Sequence, residues 1–358
     1  MPKVQDREYR TMLQPMAIPT AATEKRFDTD FYVEGFATTF NSPYELYEWD
    51  GVKYYEMIAR DALVGADMEG IARELEEDTG IPALGFSTTG FDYYDKGISD
   101  TAIKLIKRFS KKRETYKNSR TINVLGLTPL DFGADGNAEA IVRTLNEWGF
   151  TVNADLFFHT SMEELEHISN AGISVAVSAA GVKPAKYLAA EYGIPWTSGI
   201  PARWNLPLKE RLEWLDDDRT NNAAVKATAV RTAIAPEGHG NILVVADQIA
   251  ANAVREHLEY LIDADITCAT FFTLHKELAR PCDFRIGSEN ELVGIIESGK
   301  YRAVCGDPVL KEIPGVKELT FLDIPHPAVS SRLNWNDMPV IGSHELEETY
   351  YEFVRKLL

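Results

Sequence analysis

The feature that most constrains this chain is a unit that repeats from about residue 64 onward: helix, glycine, short apolar strand, polar loop, helix. Asp67 to Thr79 reads as a helix with Ile71, Ala72 and Leu75 on one face. Gly80 and Pro82 then end it, one by accepting a left-handed turn and the other by lacking an amide donor. A strand at Ala83–Phe86 and a helix from about Ser99 to Arg108 follow. The rhythm continues with strand Ile122–Gly126, helix Asn137–Trp148, strand Thr151–Ala154, a helix around Glu163–Ser169, strand Ile173–Val177 and helix Pro184–Tyr192. A second series has strand Asn241–Ala246, helix Ile249–Ile262, strand Thr267–Phe272, helix Glu289–Ser298 and strands Tyr301–Val304 and Leu319–Leu322. Strands that are apolar throughout, rather than at every second residue, are buried on both faces. Alternating with helices, they predict parallel sheets with right-handed crossovers.

The expected fold class is therefore α/β, with Rossmann-like parallel-sheet domains. A small β-rich segment precedes them, because Phe31–Phe40 alternates like a strand while Asn41-Ser-Pro43 and Asp50-Gly51 supply turns. The expected divisions are residues 1–63, a remnant of a first Rossmann-like domain at 64–118, a second at 119–205, a third at 206–343 and a C-terminal helix at 344–358.

Composition narrows the function. The 358 residues carry a formal net charge of −18, which repels a phosphate backbone and argues against nucleic acid as a partner. A basic run from Lys104 to Arg120 opposes that average and reads as a helix C-terminus with a solvated connection. No run approaches the ~18–20 apolar residues that cross a bilayer, so no membrane partner is expected. Three widely spaced cysteines do not make a disulfide framework, and a cytoplasmic location is expected. All seven histidines lie at or beyond His159, and Cys268, Cys282 and Cys305 lie in the last third of the chain. The first 158 residues alone can build no thiolate metal site and no histidine-assisted catalytic pair.

The chemistry-bearing motifs are few. No dinucleotide-binding or Walker A glycine pattern follows any strand. Gly126 to Gly133 offers backbone amides for an anion, but Asp131 and Asp135 oppose one, so a structural strand-to-helix turn is expected. Thr88, Thr89 and Gly90 sit just beyond the carboxyl end of an expected strand, where open α/β sheets bind ligands. Cys268 reads as a buried small hydrophobe, whereas Cys282 and Cys305 occupy strand or loop ends from which a cleft is within reach. His326, in Ile324-Pro-His-Pro-Ala-Val-Ser330, follows a strand and is the most site-like histidine. No catalytic residue is assigned.

Three stretches carry a resemblance: Val64-Gly-Ala-Asp-Met through Gly80-Ile-Pro82 with Gly85-Phe-Ser-Thr-Thr-Gly-Phe-Asp-Tyr-Tyr-Asp-Lys-Gly97, Val244-Val-Ala-Asp-Gln248, and the segment around His326. Residues from about 64 to 358 resemble the nitrogenase component 1 family of oxidoreductases. The resemblance implies three Rossmann-like domains with a metallocluster or tetrapyrrole-type substrate between them. It also implies a second component 1-like subunit and an electron-donating ATPase as partners, and an iron–sulfur cluster that carries the electrons. Thr88, Thr89, Gly90 and His326 would then face the cofactor. The family's cluster cysteines lie upstream of the Val64 motif or, in nitrogenase proper, after a middle-domain strand. This chain has no cysteine in either place, the second corresponding to Ala176–Gly181.

Residues 1–63 resemble instead the opening of a tailed-phage prohead protease, through Val33-Glu-Gly-Phe-Ala-Thr-Thr-Phe-Asn-Ser-Pro-Tyr44 and Tyr54–Leu63. The expectation is thus a truncated component 1-like oxidoreductase subunit, fused near residues 63–68 and inactive alone. The alternatives are a ligand- or metallocluster-binding module without turnover, and an inactive protease-related fragment.

Overall fold

The computed structural model describes residues 43–49, 52–57, 68–86, 93–112, 120–133, 136–218, 241–330 and 339–358. They fall into two compact units, residues 1–89 and residues 90–358.

In the first unit, β1 (Pro43–Trp49) and β2 (Val52–Met57) pair antiparallel, with Pro43 opposite Met57 and Trp49 opposite Val52. Helix α1 (Met68–Thr79) ends as its sequence dictates. The Gly80 N–H donates to the Glu76 carbonyl at 2.8 Å, with φ at +69°. Of the apolar face read from the sequence, only Ala72 is buried; Ile71 and Leu75 are exposed. The strand expected at Ala83–Phe86 does not form. There the chain presses against the first turn of α1, where a β-carbon on Gly85 would lie 2.0 Å from the Met68 carbonyl oxygen. No strand among the described residues pairs with it. The strand-like Phe31–Phe40 stretch and the Asp50-Gly51 turn lie outside the described residues.

The second unit opens with α2 (Tyr94–Phe109). Its first sheet has β3 (Thr121–Leu125), β4 (Thr151–Asp155), β5 (Ile173–Ala176) and β6 (Trp196–Ser198) in the order β4-β3-β5-β6, all parallel. Helices α3 (Pro129–Phe132), α4 (Asn137–Glu147), α5 (Met162–Glu166), α6 (Ala179–Tyr192) and α7 (Leu206–Asp218) connect and follow these strands. The second sheet has β7 (Asn241–Val245), β8 (Asp265–Thr270), β9 (Phe284–Arg285), β10 (Tyr301–Gly306) and β11 (Thr320–Asp323) in the order β11-β10-β7-β8-β9, again parallel. Its helices are α8 (Gln248–Leu261), α9 (Glu289–Glu297), α10 (Pro327–Ser330) and α11 (His344–Leu357). The α/β class with parallel sheets is what the uniformly apolar strands required. In β7, Ile242 and Val244 pack with Val254, Leu258 and Phe353 from α8 and α11. Leu243 and Val245, pointing the other way, pack with Leu292 and Ile296 of α9.

Helix α6 starts at Ala179, five residues before the proline at which the sequence reading began it. Proline inside a helix normally strands the carbonyl four residues earlier. Here that carbonyl, on Ala180, accepts a 2.7 Å hydrogen bond from Ser99 Oγ of α2 instead. The helix continues through Pro184 because a neighbouring element supplies the missing donor. No helix of the described residues is long and apolar enough to cross a membrane.

Candidate functional site

In each sheet of the second unit the strand order reverses beside the first strand: between β3 and β5 in one, between β7 and β10 in the other. Such switch points open a crevice at the carboxyl ends of the strands. Residues following these ends, Asp131, Val177 and Ser178 from the first sheet and Ala246, Asp247, Ile324 and His326 from the second, line one cavity of about 110 Å³.

The first wall is set by contact. Gly126, at φ +81°, ends β3 against the start of α6, where a β-carbon would lie 2.6 Å from the Gly181 nitrogen. Ser178 Oγ donates to the Gly126 carbonyl at 2.8 Å. The loop after β3 therefore closes on α6 as a structural turn. Asp131 comes from the short helix α3 and is almost wholly buried; its carboxylate accepts from Thr128 Oγ1 at 2.7 Å and Tyr94 Oη at 2.6 Å. A carboxylate thus sits beside the loop that was weighed as an anion cradle.

The second wall is set by caps. Asp247 follows β7 and accepts the Ile249 N–H at 2.9 Å, capping α8. Its other oxygen accepts the Ala179 N–H at 3.1 Å, so it also caps α6. Asp307 follows β10 and accepts the His326 N–H at 2.8 Å and the Ser330 hydroxyl. It thereby fixes the chain on which His326 sits. The imidazole stacks on Phe272 at 5.1 Å. Its Nε2 lies 3.3 Å from Tyr94 Oη and 3.5 Å from Asp131 Oδ1. Because the Tyr94 hydroxyl donates to Asp131, Nε2 must carry the proton in the Tyr94–His326 contact. His326 Nδ1 is left buried with no partner.

Electrostatics sort these groups. Burial, followed by the Asp131 charge, pushes the Tyr94 phenol far above its ordinary range and keeps it a donor. Burial, then repulsion from Asp131, pushes the Asp247 carboxyl up to about 6, against the backbone amide of Ala179 and the neighbouring His326, which pull it down. A carboxyl poised there exchanges a proton near neutrality.

Of the four site residues named from sequence, His326 enters this cavity, and Thr88, Thr89 and Gly90 lie outside the described residues. Tyr94, Asp131, Asp247 and Asp307 received no role from sequence. An acid directly after an apolar strand was the legible signal for Asp247 and Asp307, once strand order is known.

The cysteines do not converge. Cys268 lies within β8 and Cys305 within β10, on either side of Val244 of β7. Burial pushes the Cys268 thiol up to about 12 and the Cys305 thiol well above its ordinary value, while Cys282 is exposed. Cys305 does not reach a cleft, because β10 runs two residues past its expected end and carries the thiol into the core. An iron–sulfur cluster needs converging thiolates, and these three thiols do not fit one. No group of three or more histidine, cysteine or acidic side chains among the described residues is arranged to hold a metal ion.

Residues 61–202 match the family model described as Nitrogenase component 1 type Oxidoreductase. A light-independent protochlorophyllide reductase chain of Prosthecochloris aestuarii (strain DSM 271 / SK 413) is 30% identical over 157 residues, which are 44% of this chain and 28% of that protein. The nitrogenase molybdenum-iron protein alpha chain of Clostridium pasteurianum is 27% identical over 145 residues, 37% of this chain and 25% of that one. The chain therefore spans about a quarter of the length of these curated relatives. A solved structure described as "Nitrogenase Cp1 at pH 6.5" is similar in fold, with a TM-score of 0.56 and 12% identity over 82% of this chain and 72% of that chain.

Proposed function

We propose, from the premise that residues 61–202 are nitrogenase component 1-like, that this protein is an oxidoreductase-type subunit that binds its ligand between two parallel sheets. One observation carries the reading: two switch points converge on a single cavity bearing Asp131, Asp247, His326 and Tyr94. In this reading Tyr94 and His326 hold Asp131 in place, and Asp247 exchanges the proton. Electrons and cluster ligands come from other chains, a second component 1-like subunit and an electron-donating ATPase, because the three thiols here do not suit a cluster. A cytoplasmic setting belongs to the same proposal, as does a join near residues 63–68. The family match beginning at residue 61 supports a change of character there. The prohead-protease likeness of residues 1–63 adds no site among the described residues.

Anaerobic purification with associated proteins, followed by iron analysis, tests this reading. Retained iron in a complex with a second component 1-like chain is the expected result; a metal-free complex overturns the redox part. A binding module without turnover is the second reading, favoured by the same unsuited thiols. If the assembled complex binds ligand, Asp131→Asn weakens that binding, and the unsubstituted complex shows no turnover with its electron donor, the second reading replaces the first.

A further inference from the structure

The cavity between the two sheets is small, negatively charged and without a lysine or arginine in its wall among the described residues. Its volume is about 110 Å³. Scaled from the ~150 Å³ apolar cavity that takes benzene, that is room for roughly four or five non-hydrogen atoms. A metallocluster or a tetrapyrrole is larger than this space. Asp131 and Asp247 both line it and both are almost completely buried.

Buried carboxylates persist when they are paired with a cation or take up a proton. Tyr94, Thr128 and the amides of Ala179 and Ile249 give these two carboxylates hydrogen bonds but no charge. The one basic side chain in the wall among the described residues is His326, with Nε2 3.5 Å from Asp131 Oδ1, so two buried carboxylates face a single imidazole. Burial first, and then repulsion from Asp131, raises the Asp247 carboxyl, as expected for two acids sharing one enclosed space. The rest of the wall is mostly apolar, with Val177, Ile200, Ala253 and Val254, and carries three aromatic residues, Phe132, Trp204 and Tyr350, beside the polar Asn137, Ser178 and Asp323. Aromatic faces attract cations, most of all where water is excluded. Carboxylates at one part of a small apolar space, with aromatic rings at another, are complementary to a positive head on a short hydrocarbon tail.

We propose that this cavity binds a small primary organic ammonium ion, its –NH3+ head paired with Asp131 and Asp247 and its tail against the apolar wall. The proposal rests on the reading of this cavity as the ligand site and names the class of ligand.

Titration calorimetry of the full chain at about pH 8, where Asp247 is ionised, tests it with n-propylammonium chloride, propan-1-ol and sodium propionate. These probes share a tail and differ in the charge of the head. Propylammonium should bind at least tenfold more tightly than either of the others, since a charge-assisted pair is about twice as strong as a neutral hydrogen bond. Asp131→Asn should weaken propylammonium binding at least tenfold. Ala253→Leu, which adds bulk to the lining from α8 and keeps both carboxylates, should abolish it and keeps the test valid if Asp131→Asn does not fold. Equal binding of propanol or propionate, binding unchanged by Ala253→Leu, or no heat with any probe overturns the proposal. Iron and partner retention are measured separately. Loss of ammonium binding therefore leaves the oxidoreductase reading standing, and a metal-free complex leaves the ammonium site standing.

Discussion

The two parallel sheets of residues 90–358 each reverse their strand order beside the first strand, and they finish their strands differently. In the first, β3 and the start of α6 meet backbone to backbone, through Gly126 and Gly181, and Ser178 spends its hydroxyl on the Gly126 carbonyl. Ser178 is the N-cap residue of α6 yet makes no side-chain cap. In the second, carboxylates finish the strands: Asp247 caps α8 and Asp307 caps the short 3-10 helix Pro308–Glu312. The difference is resolved across the cavity, where Asp247 supplies the α6 cap that Ser178 does not. Close backbone packing marks the first switch point, where Asp131 brings a carboxylate. Two carboxylates that cap helices mark the other, and one of them, Asp247, ties the two sheets together.

Four substitutions or conditions break or sharpen that comparison. The largest effect is expected in the second sheet at Asp283, which pairs with Arg255 at 2.6 Å while both side chains are buried. Its carboxylate also accepts the backbone amides of Cys268 and Arg280. Asp283→Ala leaves the guanidinium buried without its counter-charge and should cost about 3–5 kcal/mol in chemical denaturation. Next is the contact at the first switch point. A β-carbon on Gly181 would lie 2.1 Å from the Leu125 carbonyl oxygen. Gly181→Ala should destabilise by about 2–3 kcal/mol, the range for overpacking a rigid interior. A wild-type melting temperature would show that this backbone approach is looser than described.

A smaller loss, about 2 kcal/mol, is expected for Asp307→Asn, which takes a charged acceptor from the His326 amide and the Ser330 hydroxyl. If the carboxylate positions His326, that variant should also change ligand affinity more than Gly181→Ala does at matched stability.

The smallest effect is a pH dependence with two opposing parts. Asp247 is raised from an ordinary 3.8 to about 6, so its contribution is fully present below pH ~3.8 and is lost as pH rises through about 6. His257, packed 4.8 Å from both Trp204 and Tyr350 with neither ring nitrogen partnered, is lowered by burial from 6.5 to about 4. Its contribution is present above pH ~6.5 and is lost as pH falls through about 4. Asp247→Asn should therefore steepen the acid loss of stability between pH 6 and 4 by up to one proton's slope. His257→Phe should flatten it. Urea midpoints across that range measure both, and identical profiles for the two variants would refute the assignment.

How much was legible follows from where each interaction lies in sequence. Most strand and helix positions in residues 120–357 were readable because a strand buried on both faces must be apolar throughout, and glycines at helix ends are local; β6 and α7 were not read. Helix α6 was misplaced at its start because the donor that rescues Pro184 is Ser99, 81 residues away. The strand expected at Ala83–Phe86 did not form for a related reason: its apolar pattern is local, whereas sheet pairing depends on segments elsewhere in the chain. His326 was legible by its place after a strand. Asp131, Asp247 and Tyr94 stood in plain view as residues but acquire their chemistry only from each other, across 37 residues for Tyr94 and Asp131 and 232 for Tyr94 and His326.

The sequence by itself determined that residues 90–358 alternate helices with doubly buried strands, and hence that the sheets there are parallel. That follows from periodicity and from the need to bury apolar faces, both of which act within a few residues. It also determined that the first 158 residues contain no histidine or cysteine. Only the tertiary structure decided that two strand-order reversals face one cavity, that Cys305 is core, and that Asp247 is a cap shared by two helices. Those outcomes depend on burial and on charge–charge distance, which are properties of the packed chain and of no single segment.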